Sequence, residues 1–187
     1  MATLSLERIA LIDCEASSLR EGSYPIEIGW CFADTGEVES HLVAPHADWT
    51  DWDPEAEAVH GITRRVLVDR GLAIDVVASR MRTMLNGRQL YADGTWDQRW
   101  INRLFDAVGL PSLVVLPFDD LLESVATPQI DSRHDWLAEE LARLRHAAAL
   151  DEAYARARLT APPTHRAGAD AKYLCEVLHQ ALKLMPQ

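Results

Sequence analysis

The chain has 187 residues, 48% of them apolar, which is enough for one globular domain with a full core but short for two. Its formal net charge of -11, from 29 acidic and 18 basic residues, argues against a broad basic surface for duplex nucleic acid. A short oligonucleotide stays compatible because it needs few phosphate contacts. Three widely separated cysteines argue against a disulfide framework and a thiolate zinc site, and favour a cytoplasmic location. No apolar stretch is long enough to span a bilayer, so we expect no membrane association.

The first predicted elements form a β-meander. The run IALIDCEAS, beginning at Ile9, is typical of a buried central strand that ends in charged residues. Residues 25–43 then contain two β-rich runs around Asp34-Thr35-Gly36, which is the signature of a hairpin. The sheet is therefore expected to begin with three neighbouring strands.

Helices and strands alternate after the meander. Asp53, Pro54 and Gly61 predict the cap, first residue and end of a short helix, and Thr63 can cap the next. Further helices are predicted over about 74–85, 97–108, 131–157 and 168–185, with strands at RQLYAD (88–93) and SLVVLPF (112–118). This order predicts an α/β domain with a mixed β-sheet, an antiparallel meander plus parallel strands, flanked by helices.

Two carboxylates lie side by side at the end of the first strand. Because side chains alternate along a strand, Asp13 and Glu15 share one face and Cys14 points to the other. With 29 acids in the chain, about four pairs at this spacing are expected by chance, so this pair taken alone is better explained as a solvated strand end.

Two more acids, Asp97 and Asp170, stand at the start of predicted helices and head apolar stripes. The stripes are Ile101, Leu104 and Val108 after Asp97, and Leu174, Val177 and Ala181 after Asp170. The helix dipole favours an acid in the first turn by some tenths of a kcal/mol, but it does not explain why both acids face a core. A buried carboxylate needs a partner.

A divalent metal ion is the partner that these four acids favour. Strand ends and helix starts converge at one edge of a sheet fold, so the carboxylates are expected to meet. Like charges in a partly buried site repel strongly, and a divalent cation relieves that repulsion. Oxygen ligands without clustered cysteine or histidine favour Mg²⁺ or Mn²⁺ over Zn²⁺.

The motifs resemble those of a known enzyme family. Asp13-Cys14-Glu15, Asp97 and the H-x-A-x-x-D element from His165 to Asp170 resemble, in order and spacing, the three motifs of DEDDh exonucleases. This ribonuclease H-like group includes oligoribonuclease, ribonuclease T and polymerase proofreading subunits. HGIT at 60–63 is similar to their H-x-I-T element, and the resemblance spans about residues 9–178. The chain departs from the pattern at Asp93 and Trp96, where many relatives carry asparagine and phenylalanine.

The resemblance implies one exonuclease domain, residues 1–187, with a ribonuclease H-like fold. Its expected reaction is metal-dependent 3′→5′ hydrolysis of single-stranded DNA, RNA or short oligonucleotides to nucleoside 5′-monophosphates. Two ions, Mg²⁺ or Mn²⁺, would be held by Asp13, Glu15, Asp97 and Asp170, and His165 would be the general base. The role of general base also suits the predicted position of His165, because a loop histidine can reach such a site and an unperturbed histidine titrates near working pH.

Substrate contacts are also implied by the resemblance. Ile62 would wedge against the terminal base, or alternatively anchor the chain between helices, and the backbone around Ala16 and Ser17 would receive the terminal 3′-hydroxyl. His60 and Thr63 belong to the same H-x-I-T element as Ile62.

Side chains that flank the motifs are further candidates for substrate binding. Trp96 is a candidate for base stacking, although a tryptophan pair at 96 and 100 is more typical of a core. Arg166 is a candidate phosphate contact. Trp49 and Trp52, in the polar stretch DWTDWD, are expected to be exposed.

Two other functions remain open at this point. A non-catalytic nucleic-acid-binding module of the same fold predicts at least one lost site acid, and none is lost. A phosphodiesterase for small nucleotides is compatible with the acidic net charge. A homodimer through the long helix from Asp131 is an expectation by analogy only.

Overall fold

A computed structural model describes residues 4–126 and 136–185 of the chain. Five strands form a single mixed sheet in the order β3-β2-β1-β4-β5. They are β1 (Ile9–Ala16), β2 (Pro25–Phe32), β3 (Val38–Leu42), β4 (Gln89–Ala92) and β5 (Val115–Pro117). β2 pairs antiparallel with β1 and β3, whereas β4 runs parallel to β1 and β5 runs parallel to β4. The predicted mixed sheet is therefore confirmed, with β1 at its centre.

Helices cover both faces of the sheet. They are α1 (Pro54–His60), α2 (Arg64–Arg70), α3 (Ile74–Met84), α4 (Thr95–Ala107), α5 (Phe118–Ala126), α6 (Trp136–Thr160) and α7 (Ala167–Leu184). Residues of α2, α3 and α4 pack with Ile12 on one face, and residues of α5, α6 and α7 pack with Leu11 on the other. The alternation predicted for β1 is confirmed, and it leaves the acidic end of that strand between two packed layers.

The predicted boundaries around the first two helices are confirmed. The Asp53 carboxylate accepts a hydrogen bond from the backbone N–H of Glu55 at the start of α1. Gly61 ends this helix with φ 68°, a left-handed conformation that favours glycine. The Thr63 hydroxyl then accepts a hydrogen bond from the backbone N–H of Val66 and caps α2.

α7 lies directly against the sheet at Gly29, which is the cross-strand partner of Asp13. A β-carbon at position 29 would lie 2.4 Å from the backbone carbon of Ala167 and 2.4 Å from the backbone nitrogen of Gly168. Only glycine allows this contact, which holds the first turn of α7 against β2. The segment that carries His165 and Asp170 is thereby fixed beside the end of β1.

Several local expectations are wrong. Residues 112–118 were predicted as one strand, but β5 has three residues and Phe118 already begins α5, a helix that the sequence pattern did not predict. α4 begins two residues before Asp97, which is therefore its third residue. α6 continues past the expected end at Ala157 to Thr160, and its predicted start at Asp131 lies outside the described residues.

Trp49 is buried, contrary to expectation. It is 4% exposed, and its ring stacks on Tyr24 with centroids 5.1 Å apart. Trp52 is half-buried, and its indole N–H donates to the Glu57 carboxylate at 2.8 Å. The polar residues around these tryptophans predicted exposure, but the loop packs against the face of the sheet that α2, α3 and α4 cover.

Among the helices within residues 4–126 and 136–185, none combines the length and the apolar character that a membrane span needs.

Candidate active site and metal centre

Asp13 lies at the centre of the candidate site, near the carboxyl end of β1. Burial raises the pKa of its carboxyl group well above the usual value, and the nearby charges of Asp97, Glu15 and Asp170 raise it further. Its Oδ2 atom is buried and finds no hydrogen-bond partner within the described part of the chain. A buried carboxylate oxygen without a donor is costly, so the geometry calls for a cation at this atom.

Glu15 is the second acid of β1 and is less buried than Asp13. Burial raises its pKa to about 7, with further increases from the charges of Asp170 and Glu27, whereas Arg166 opposes the shift. These contributions place Glu15 between the start of α7 and strand β2, where Glu27 is its cross-strand partner.

Asp97 reaches β1 from the first turn of α4 and is 6% exposed. Its Oδ1 atom accepts a hydrogen bond from the backbone N–H of Cys14 at 2.9 Å, which ties the helix start to the strand that carries the other two acids. Burial raises the pKa of Asp97 to about 6, and the bond from Cys14 opposes that rise.

Asp170, in the first turn of α7, and His165, in the loop before that helix, complete the site. Asp170 accepts hydrogen bonds from two backbone N–H groups, that of Thr164 at 2.7 Å and that of His165 at 3.1 Å. His165 has φ 55°, so the backbone turns sharply at this residue, and its side chain is exposed. The ligand atoms of Glu15, His165 and Asp170 all lie within 4.8 Å of one another.

The structure thus brings together all five residues predicted to carry the chemistry. Glu15, Asp170 and His165 form one compact group, while Asp13 and Asp97 adjoin it and couple to it through charge. The donor set fits hard divalent cations, because it consists of carboxylate oxygens, one of them buried without a donor, plus a single exposed imidazole.

Glu27 is a site neighbour that sequence reasoning missed. It is 2% exposed and accepts two hydrogen bonds from the Arg166 guanidinium, at 2.9 and 2.8 Å, and one from the backbone N–H of Ala167 at 3.1 Å. The signal was available, since Glu27 is the one acid in the apolar strand PIEIGWCF and a buried acid requires a partner. The guanidinium of Arg166, which was predicted to contact phosphate, is hydrogen-bonded to this carboxylate.

Asp93 adds a further acid beside the site. Burial raises the pKa of this carboxyl group, and the charge of Asp119 at the start of α5 raises it further. Asp93 in turn raises the pKa of both Asp13 and Asp97. The departure from the family pattern at this position therefore makes the edge of the site more acidic.

His60 presents a buried donor. It is 6% exposed, and its Nδ1 atom accepts a hydrogen bond from the backbone N–H of Ile62 at 3.0 Å. Burial lowers the pKa of the imidazole, so the ring is neutral near pH 7 and Nε2 carries the proton. That Nε2–H finds no acceptor among the residues described here. Glu27, Arg166 and His165 all act on the His60 pKa, which places the ring on the α7 side of the site.

The other residues predicted to contact substrate are buried or hydrogen-bonded within the protein to a greater extent than the sequence predicted. Ser17 donates its backbone N–H to the Tyr24 carbonyl at 3.0 Å, and its own carbonyl accepts from Asp53 at 2.9 Å. Ile62 is 3% exposed, which favours its role as an anchor between helices. Ala16 is 7% exposed at the end of β1.

The aromatic pair on α4 is mainly structural. Trp100 is 6% exposed and donates its indole N–H to the Ser23 hydroxyl at 2.9 Å. Trp96 is half-buried and stacks on Trp100 with ring centroids 5.8 Å apart, and the Arg99 guanidinium lies 5.0 Å from the centroid of the Trp96 ring.

No protein-family model and no curated protein matches the sequence. Solved structures of exonuclease I share the fold. The E. coli enzyme in complex with a dT13 oligonucleotide matches with a TM-score of 0.52 and 15% identity, over 65% of this chain and 30% of that chain. A product-bound exonuclease I matches with a TM-score of 0.52 and 15% identity, over 63% of this chain and 31% of that chain. The chain therefore spans about 31% of the neighbour's length. The likeness confirms the predicted ribonuclease H-like fold.

Proposed function

We propose that this protein is a DEDDh-type 3′→5′ exonuclease that releases nucleoside 5′-monophosphates from single-stranded or short nucleic acids. The observation that carries the proposal is the convergence of Asp13, Glu15, Asp97 and Asp170, with the buried Oδ2 of Asp13 left without a donor. The fold shared with exonuclease I, whose solved structures include single-stranded DNA complexes, supports a nucleic acid as substrate.

The four carboxylates are the proposed ligands of two divalent ions, Mg²⁺ or Mn²⁺. When bound, such ions neutralise the carboxylates and stabilise the charge on the attacking and leaving oxygens of an in-line displacement. The protein supplies rigid placement of the ligands. The backbone bond from Cys14 fixes Asp97, and the two N–H groups of Thr164 and His165 fix Asp170.

His165 is the proposed general base. Its exposed imidazole lies within 4.8 Å of ligand atoms of Glu15 and Asp170, where an attacking water would also lie. It would accept the proton of that water, a role that histidine fills more often than any other side chain. Because the Asp170 carboxylate binds the backbone of His165, the base and a proposed metal ligand are positioned together.

His60 is the best-supported of the proposed substrate contacts. Its neutral ring offers an Nε2–H donor that is already desolvated and lacks an acceptor within residues 4–126 and 136–185. A phosphate or sugar oxygen of the terminal nucleotide would satisfy it. The remaining substrate contacts stay predictions: Ala16, Ser17, Ile62, Thr63, Trp96 and Arg166.

The test is a 5′-labelled single strand, as DNA and as RNA, incubated with Mg²⁺ or Mn²⁺. A ladder that shortens from the 3′ end is expected, and Asp13→Asn should abolish it. The matched control is Asp75→Asn, which removes an acid from the first turn of α3, away from the site. Failure to shorten either strand with either ion would refute the proposed function.

The same assay separates the two alternatives. Binding of the strand without cleavage would favour a non-catalytic module. Hydrolysis restricted to small phosphodiesters would favour a nucleotide phosphodiesterase. A single exonuclease domain over residues 1–187, a cytoplasmic location and a homodimer stay predictions.

A further inference from the structure

A cavity of about 890 Å³ lies beside α4, outside the carboxylate site. Arg99, Asn102 and Arg103 line it from α4. His46 and Trp49 line it from the loop before α1, and Glu21 lines it from the loop after β1. A volume of this size accommodates a nucleotide-sized ligand.

Two arginines in the cavity lack acidic partners. Arg99 and Arg103 form no ion pair with the described residues, whereas seven other arginines do. The Nε atom of Arg103 is buried and finds no acceptor within residues 4–126 and 136–185. An unpartnered buried guanidinium donor is costly, so the position favours an anionic ligand from outside the described chain.

Both guanidinium groups lie over indole rings. Arg99 lies 5.0 Å from the centroid of the Trp96 ring, and Arg103 lies 5.9 Å from that of Trp49. Arg99 also donates to the backbone carbonyl of Glu21 at 2.6 Å. These contacts orient the two planar groups in advance, which reduces the entropy lost when their N–H edges bind a phosphate.

The cavity is connected to the proposed active site through α4. Asp97 is in the first turn of this helix, and Arg103 lies six residues on, about 9 Å further along the axis. The loop after β1 is fastened to the same helix, because Trp100 donates to Ser23 and Arg99 donates to Glu21. A strand whose 3′ end occupies the site would therefore reach the cavity within a few nucleotides by crossing this loop.

We propose that the cavity is an upstream subsite for single-stranded nucleic acid, in which Arg99 and Arg103 bind a phosphodiester a few nucleotides 5′ of the scissile bond. This inference rests on the proposed exonuclease function. The rim also carries Glu21, Asp48 and Asp106, which oppose a phosphate. Neutralising one of these acids should therefore strengthen binding of the strand, whereas neutralising an arginine should weaken it.

The test compares the kcat/KM of a dinucleotide with that of a strand of about a dozen nucleotides, a length typical of single-strand binding sites. In the Arg99→Gln, Arg103→Gln double variant, the ratio of long to short substrate should fall about tenfold. The salt dependence for the long strand should also become less steep, by about 0.7 in the logarithmic slope for each phosphate that the variant no longer binds. Arg145→Gln, which removes a charge from the exposed face of α6, is the matched control and should change neither quantity.

Asp106→Asn is the second variant, and it keeps the test decisive if the arginine variant does not fold. This exposed position should tolerate the change, and the long-to-short ratio should rise. A ratio unaffected by both changes, or lowered equally by Arg145→Gln, would overturn the subsite. If wild type cleaves neither substrate, the proposed function itself fails. If wild type cleaves both without a length preference, only the subsite fails.

Discussion

The carboxylate cluster should make the metal-free protein less stable at neutral pH than at mildly acidic pH. Glu15 and Asp97 have pKa values raised to about 7 and about 6, from usual values of 4.5 and 3.8. A raised pKa means that the folded state holds the proton more tightly than the unfolded state. The resulting stability is fully present below the usual pKa and is lost as pH rises through 6 to 7.

The magnitude follows from the size of the shifts. One pKa unit corresponds to about 1.4 kcal/mol, so the Glu15 shift alone has an upper limit of about 3 kcal/mol. Glu15 is partly exposed, and solvent screening reduces its contribution to about 2 kcal/mol. With Asp97, which is more deeply buried, the total loss between pH 5 and pH 8 should be about 2 to 4 kcal/mol.

The assay is urea unfolding in EDTA across this pH range, on wild type and on Glu15→Gln. His60 acts in the opposite direction, since its lowered pKa costs stability as pH falls, but its contribution cancels in the comparison. We expect wild type to lose stability with rising pH more steeply than the variant. Mg²⁺ or Mn²⁺ should restore wild type at pH 8 more than Glu15→Gln, because ligand binding stabilises the folded state. Parallel pH profiles for the two proteins would refute the raised pKa of Glu15.

Three further changes test other parts of the site. His165→Asn should lower kcat by about 10²- to 10⁴-fold with an unchanged thermal midpoint, because the side chain is exposed; near-normal turnover would exclude it as the base. Arg166→Gln should cost more unfolding free energy than Glu27→Gln, because Glu27 has a side-chain exposure of 3% and Arg166 one of 48%; urea titrations that give the reverse order would contradict the buried-charge argument. Gly29→Ala should destabilise by about 1 to 3 kcal/mol or more, since its new methyl group would overlap the backbone of α7; a variant as stable as wild type in urea would show that α7 can move away from β2.

The parts of the fold predicted from sequence are those set by local chemistry. The caps at Asp53 and Thr63 depend on side chains within three residues, and the left-handed Gly61 depends on its own lack of a side chain. The strand alternation of β1 also follows from neighbours in sequence. α5 was missed because its first residue, Phe118, directly follows β5, so residues 112–118 were predicted as one strand although Pro117, a residue typical of element boundaries, ends β5.

The candidate site was predictable where spacing alone implied a role. Asp97 and Asp170 were identified because each heads an apolar stripe, and both lie at the site as that pattern required. The hydrogen bonds of Ser17 and the burial of Ile62 were not predictable. They depend on contacts with Tyr24, Asp53 and the sheet, which are distant in sequence.

Glu27 shows how the missed residues complete the physical argument for the site. Without Arg166 it would be another buried negative charge beside Glu15 and would add to the repulsion there. The pairing places a positive charge from the start of α7 next to that strand, and the shared carboxylate also accepts the first backbone N–H of the helix, that of Ala167. The same contact therefore limits the repulsion at the end of β1 and fixes the helix that delivers Asp170. A site assembled from distant segments needs such a link, because four mutually repelling acids would otherwise favour separation of the elements that carry them.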